Sequence, residues 1–185
     1  QSIGARDNAT IALLIKSVLE SNSKDRLQAL DEFLLSLQRV GTDLHQLAAA
    51  DPQNTLTPLV SQVDDMLAAS KQFAMDSSRP QAERIAAAKV LCRPEKYRET
   101  AVELLSEWLR PQIDPNVQSQ AIDAIAQSGI NQVPAVLAKA WPELSPQLRS
   151  HALDAWLARE NWTSDLLDRL EKQLIPVGSL DLTQR

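Results

Sequence analysis

His45 and His151 are the only histidines in the sequence, and they are the first residues to weigh for acid–base or metal chemistry. Neither belongs to an E-x-x-H pair or has cysteine companions, so no zinc-ligand pattern forms around them. His151 takes the place that Gln120 holds in an earlier copy of a repeated phrase, where an ordinary polar residue suffices. His45 stands close to Asp43, within reach of a local hydrogen bond. Two acid pairs come next: the adjacent Asp64 and Asp65, and Glu103 with Glu107, one helical turn apart on a shared face. Carboxylates do acid–base work when a pocket drives their pKa values apart. Nothing flanking these pairs builds one, and they read as solvated acidic stripes.

Cys92 is the single cysteine, which excludes an intrachain disulfide and a cysteine-rich metal site. No G-x-S-x-G, glycine-rich phosphate loop or EF-hand loop occurs. Trp108, Trp141, Trp156 and Trp162 could form a recognition surface. Three occupy apolar positions of repeated helices and the fourth begins a helix, so they are expected in the core, each indole N–H meeting a carbonyl. Arg84 and Arg149 recur in register, an arrangement suited to bonding loop carbonyls or aspartates between repeats. Asn8-Ala9-Thr10 and Asn161-Trp162-Thr163 match the glycosylation sequon. No residue is assigned to catalysis, to a cofactor or to a metal, and no partner-binding residue is singled out.

The elements that carry these residues are helical. The apolar fraction of 44% can build a core, while four glycines and few aromatics disfavour a turn-rich β fold. A formal charge of −5 speaks against a dedicated nucleic-acid binder, which would carry a basic stripe. The longest apolar run, "IALLI" at Ile11 to Ile15, is too short to span a bilayer. Ile11, Leu14, Ile15 and Val18 mark the buried face of a first helix. Ser23 is the expected cap of a second helix with Leu27, Leu30, Leu34 and Leu37 at threes and fours, and Gly41 its end. "TDLHQLAAADP" reads as a short helix. Thr57-Pro58 opens a helix whose stripe is Leu59, Val63, Met66, Leu67 and Phe73.

From Ser78 onward the order becomes periodic. "DPNVQSQAIDAIAQ" from Asp114 and "SPQLRSHALDAWLA" from Ser145 are two copies of one phrase. Superposing the first helix of each pair aligns Ala87, Ala121 and Ala152. Arg84, Gln118 and Arg149 stand three positions earlier, and Leu91, Ile125 and Trp156 four later. The cap and proline start each helix. The alanine admits a neighbouring helix at close range, and the larger residue fills the groove beneath. Such recurrence is the mark of an α-solenoid.

The expected fold is therefore all-α, an α-α superhelix of stacked helical hairpins. Its clearest repeats are 77–109, 110–144 and 145–175, with divergent helices over 1–76 and a new unit beginning within 176–185, where Asp181 is a plausible cap. "PNVQSQAIDAIAQSGINQVPAVLAKAW" resembles short HEAT-like repeats, whose helices read roughly V-R-x-x-A-A-x-A-L and A-V-P-x-L. From about Ala74 to Arg185 the chain further resembles the helical section of large multidomain proteins of planctomycetes and their relatives. There it lies between a β-propeller, dehydrogenase-like region and a c-type haem domain. No C-x-x-C-H occurs in this sequence, so haem attachment would belong elsewhere.

The resemblance implies a section of a longer, exported protein, and the start at Gln1 and the loosened pattern after Leu174 agree with excision. The expected function is a non-catalytic interaction, spacer or scaffold module whose partner is a protein or a neighbouring domain. The alternative is a HEAT-like-repeat enzyme of the DNA-glycosylase or bilin-lyase kind. Acidic second helices, with Glu99, Glu103, Glu107, Asp165, Asp168 and Glu171, disfavour the DNA version.

Overall fold

The computed structural model describes residues 2–176, with side chains from Asn8 onward except those of Ser23 and Lys24. Ten α-helices and two 3-10 turns make up the described chain, and no strand occurs among the described residues. The helices are α1 (Ser2–Glu20), α2 (Ser23–Arg39), α3 (Leu44–Ala49), α4 (Thr57–Met75), α5 (Gln81–Leu91), α6 (Glu95–Ser106), α7 (Pro115–Ser128), α8 (Val133–Ala140), α9 (Pro146–Leu157) and α10 (Glu160–Glu171). The 3-10 turns Glu107–Leu109 and Trp141–Glu143 prolong α6 and α8. The all-helical expectation holds. The unit start expected at Asp181 lies outside the described residues.

The chain divides into two compact units, residues 1–95 and 96–185. In the first, α5 lies against α4 and α2, while α1 packs on α2 and α4, and α3 on α4. Ile15, Val18, Leu30, Leu34, Leu37, Leu59, Val63 and Leu67 are buried as their spacing requires. Ile11, Leu27 and Met66 are half-buried, and two members of the expected stripes are exposed. Leu14 is 49% exposed, so α1 turns Ile15 and Val18 inward and leaves Leu13 and Leu14 outside. Phe73 is 37% exposed, with the Arg79 guanidinium 3.7 Å from its ring centre. Val60 and Ala74 are buried on α4 in its stead.

Asn22 Oδ1 accepts the Asp25 N–H at 3.1 Å at the start of α2, and the side chain of Ser23, the expected cap, lies outside those described. One cap differs from expectation. At α4 the N-cap is Leu56, with Pro58 in the first turn, and the oxygen that organises this entrance belongs to Asp51. The Asp51 carboxylate accepts the N–H groups of Gln53, Thr55 and Leu56, the Thr55 hydroxyl at 2.7 Å and the Asn8 amide. The Thr55 hydroxyl above all, then the backbone donors, outweigh burial and hold Asp51 at about 2 against an ordinary 3.8. Gly41, with φ +73°, closes α2 in the left-handed conformation that a side chain resists.

In the second unit α7 packs against α8 and α9, and α10 against α8 and α9. Asp114 and Ser145 cap α7 and α9 as the repeated phrase requires, accepting from the Asn116 and Leu148 N–H groups. Ala121 and Ala152, like Ala87 on α5, have no exposed surface, and neither have Leu91, Ile125 and Trp156 four residues on. The residue three before each alanine does one job. Arg84 Nε donates to the Ala74 carbonyl at 3.0 Å. Gln118 Nε2 donates to the carbonyls of Leu109 and Arg110. Arg149 donates to those of Trp141 and Pro142, both at 3.0 Å. The in-register guanidiniums thus bond backbone carbonyls, as expected, and Gln118 does the same.

Two measurements check this account. Ala121→Leu or Ala152→Leu forces an isobutyl group into a closed contact and should cost about 1–3 kcal/mol, read as a lower urea midpoint at unchanged slope. Because Asp51 is depressed in the folded chain, its contribution is complete above its unfolded pKa and disappears as pH falls through about 2. Acid unfolding of the native chain should therefore steepen below about pH 4, and Asp51→Asn should flatten that segment while lowering stability at neutral pH.

Candidate functional site

Three concavities bring together most of the polar side chains singled out above. The first is a cavity of about 60 Å³ in the first unit, with Leu34, Leu37, Leu44 and Leu67 in its lining. Asp43, His45, Asp64 and Arg93 reach it as well. His45 does not use Asp43, which is occupied as the N-cap of α3 by the Gln46 N–H. Its Nε2 instead reaches across to Asp64 Oδ2 on α4 at 3.0 Å, a contact between helices. Asp65, next along, is exposed, so the adjacent aspartates face different surroundings.

Beside this cavity lies a buried ion pair. Arg93 Nε and Nη2 bond the two oxygens of Asp31 at 2.6 and 3.1 Å, with Arg93 3% and Asp31 8% exposed. Lys89 approaches the same carboxylate at 3.9 Å. The Arg93 carbonyl accepts from Gln38 Nε2 at 2.7 Å, so α2 holds the end of α5 through two residues. Nothing in the sequence joins Asp31 to Arg93. The available sign was an arginine placed directly after the apolar end of a helix, "KVLCRP".

The second concavity is an open groove of about 470 Å³ among α7, α9 and the start of α10. His151 Nε2 lies 2.9 Å from Asp123 Oδ1, joining α9 to α7, although the angle is poor for a hydrogen bond. Asp154, Arg159 and Trp162 share the groove. The third, about 370 Å³, contains Glu103 and Glu107 together with Arg110, Lys139 and Glu143. Both glutamates are solvated, and Glu107 pairs with Arg110. The acid pair shares a groove without sharing a desolvated pocket.

Cys92 caps the C-terminus of α5 and is buried, its thiol donating to the Ala88 carbonyl. A thiol so enclosed does not present a nucleophile to solvent. All four tryptophans are buried, at 5% exposure or less. The expected indole bonds fail at two of them. Trp156 Nε1 and Trp162 Nε1 meet no protein acceptor. Their rings have guanidiniums for neighbours instead, Arg169 at 5.7 Å and Arg159 at 5.0 Å. Both sequon asparagines are engaged through their amide nitrogens, Asn8 with Asp51 and Asn161 with Asn131. Among the described residues no group of three or more metal-ligating side chains converges, and no helix is long and apolar enough to cross a membrane.

Comparison with protein-family models, with curated proteins and with solved structures finds no match for this chain.

The Asp31–Arg93 pair gives this region its sharpest test. Asp31→Ala leaves a buried guanidinium without its main partner and should cost about 3–5 kcal/mol. The double variant Asp31→Leu with Arg93→Met should recover most of that loss in thermal or urea unfolding, because an apolar pair needs no desolvation of charge.

Proposed function

We propose that this chain is a non-catalytic interaction or spacer module, a HEAT-like array whose hairpins stack into a superhelix. One observation carries the reading: the carbonyl-binding side chain recurs at Arg84, Gln118 and Arg149, in register with the buried alanines. Each such helix start is fastened to the end of the helix before it. An array built by repeating one contact between neighbours grows by addition and presents extended surfaces to other polypeptides. The packing of α7 with α9 and of α8 with α10 agrees with hairpins laid side by side.

The repeat words supply the wider setting. On their resemblance to the helical section of planctomycete-type multidomain proteins, the chain's partners are flanking domains of the same polypeptide or a second protein. On the same resemblance it works in an exported, extracytoplasmic protein. Redox chemistry there would belong to the other domains.

Two experiments test the reading. A compact globule of 185 residues has a radius of gyration of roughly 16 Å. Small-angle scattering of this chain should give a clearly larger value, and a value at the globular figure rejects the superhelix. Cross-linking mass spectrometry in the native host, with Lys71, Lys139 and Lys172 as reporters, should return one polypeptide partner or flanking segment reproducibly. Cross-links to no polypeptide reject the interaction role.

A further inference from the structure

We propose that the groove among α7, α9 and the start of α10 binds a carboxylate, held by Arg159 and by the indole N–H of Trp162. Arg159 is a placed cation. Its Nη2 lies 2.8 Å from where a Cβ on Gly129 would stand, and its Cζ is 5.0 Å from the centre of the Trp162 ring. The side chain is thus in contact with a glycine that leaves it room and with an aromatic ring. Among the described residues its guanidinium has no carboxylate partner and no hydrogen-bond acceptor. Trp162 lines the same groove at 1% exposure, and its Nε1 meets no protein acceptor. A buried donor without an acceptor is costly, and the groove beside it is where an acceptor can arrive. The start of α10 adds to this. Arg159 is its N-cap residue and supplies no capping bond, and the N–H groups of Glu160 and Asn161 have no protein acceptor among the described residues. Such a helix start favours negative charge.

The other charges of the groove decide which anion fits. Asp123 lies 2.9 Å from His151 Nε2, and Asp154 has a partner of its own, which leaves Arg159 as the charged lining side chain without one. The acids still limit the ligand's charge. Asp123 and Asp154 line the groove and Glu160 follows Arg159, all three exposed, so a second negative charge on the ligand meets like charge. A singly charged carboxylate matches the guanidinium fork without that repulsion, whereas a phosphate dianion incurs it. With the guanidinium 5.0 Å from the ring centre, one carboxylate oxygen can bond Arg159 while the other faces the indole N–H. The groove volume of about 470 Å³ lies within the roughly 300–1,000 Å³ of small-molecule clefts, room for an organic acid or the end of an acidic side chain.

The test uses the whole chain, isotope-labelled for nitrogen NMR, with acetate, acetyl-Ala-Glu-Ala-amide and acetyl-Ala-Gln-Ala-amide as probes. Millimolar acetate or glutamate peptide should shift the Trp162 indole and Arg159 Nε–H signals saturably. The glutamine peptide should leave them in place, and inorganic phosphate as its dianion should bind several-fold more weakly than acetate. Arg159→Gln removes the fork from an exposed side chain that makes no protein hydrogen bond, so circular dichroism should stay native. The apparent Kd for acetate should then rise roughly fivefold or more. Lys172→Gln, on the residue that closes α10, should leave the response unchanged. If Arg159→Gln alters the fold, Arg159→Lys, which keeps the charge and loses the fork, decides by the same weakening. Tighter binding of the glutamate peptide than of acetate assigns the carboxylate to a polypeptide, and equal or weaker binding assigns it to a free acid; either upholds the site. Unmoved Trp162 and Arg159 signals, an equal response to the glutamine peptide, or phosphate binding as tight as acetate overturns the proposal. So does an undiminished response in a folded Arg159→Gln chain, or its loss in Lys172→Gln.

Discussion

Every α-helix ends with carbonyls that have no partner inside the helix, and this chain has few glycines with which to close them. Gly41 and Gly129 finish α2 and α7 in the left-handed conformation. The ends of α4, of α6 with its 3-10 turn, and of α8 with its 3-10 turn have no glycine. Those are the three places where Arg84, Gln118 and Arg149 donate. At the end of α5, again without glycine, Gln38 donates to the Arg93 carbonyl. One constraint, the satisfaction of helix-end carbonyls, thus decides which side chains must recur and where the next helix can begin.

The physical consequence is local coupling. Each of the three recurring donors lies between seven and ten residues from its acceptor. A hydrogen bond from a charged group is worth about 1.5–3 kcal/mol and a neutral one nearer 1, so the terminus of one helix and the first turns of the next stabilise each other. Contacts of such short separation form early and cheaply in chain entropy. The alanines in register with these donors are buried. Ala121 and Ala152 are fully covered, so a larger side chain at either position has no open space to enter.

That locality explains which features could be read from residue order. The caps at Asp114 and Ser145, the recurring Arg84 and Arg149 contacts and the buried Ala87, Ala121 and Ala152 all depend on spacing within one or two helices, and spacing is visible in a sequence. Where two neighbouring residues compete for one role, spacing fails. At the entrance of α4 the cap is Leu56 rather than Thr57, and the Asp51 carboxylate organises the turn from outside the helix. Phe73 stays outside although its phase along α4 is nearly right, because Arg79 offers a face-on guanidinium there. The site around Arg93 was not legible. Its partner Asp31 is 62 residues away, and nothing in either residue's own neighbourhood names the other. His45 was visible as a candidate, but its bond to Asp64 depends on how α3 lies on α4.

The same reasoning bears on how this molecule can recognise anything. Several of its chemically versatile side chains are spent on joining one element to another. His45 meets Asp64 across α3 and α4, His151 meets Asp123 across α9 and α7, and Asp51 gathers the loop that enters α4. Each of these contacts joins one element to another. Large apolar side chains have no such duty where they face solvent. Leu13 on α1, Val40 beyond α2, Leu167 on α10 and Leu174 are each more than half exposed, in a chain whose caps and anchors are otherwise closely satisfied. An exposed leucine taken singly is ordinary. Spread over α1, α10 and the segments that follow α2 and α10, these four leave apolar surface on both units, while the polar side chains named above are turned to joining elements.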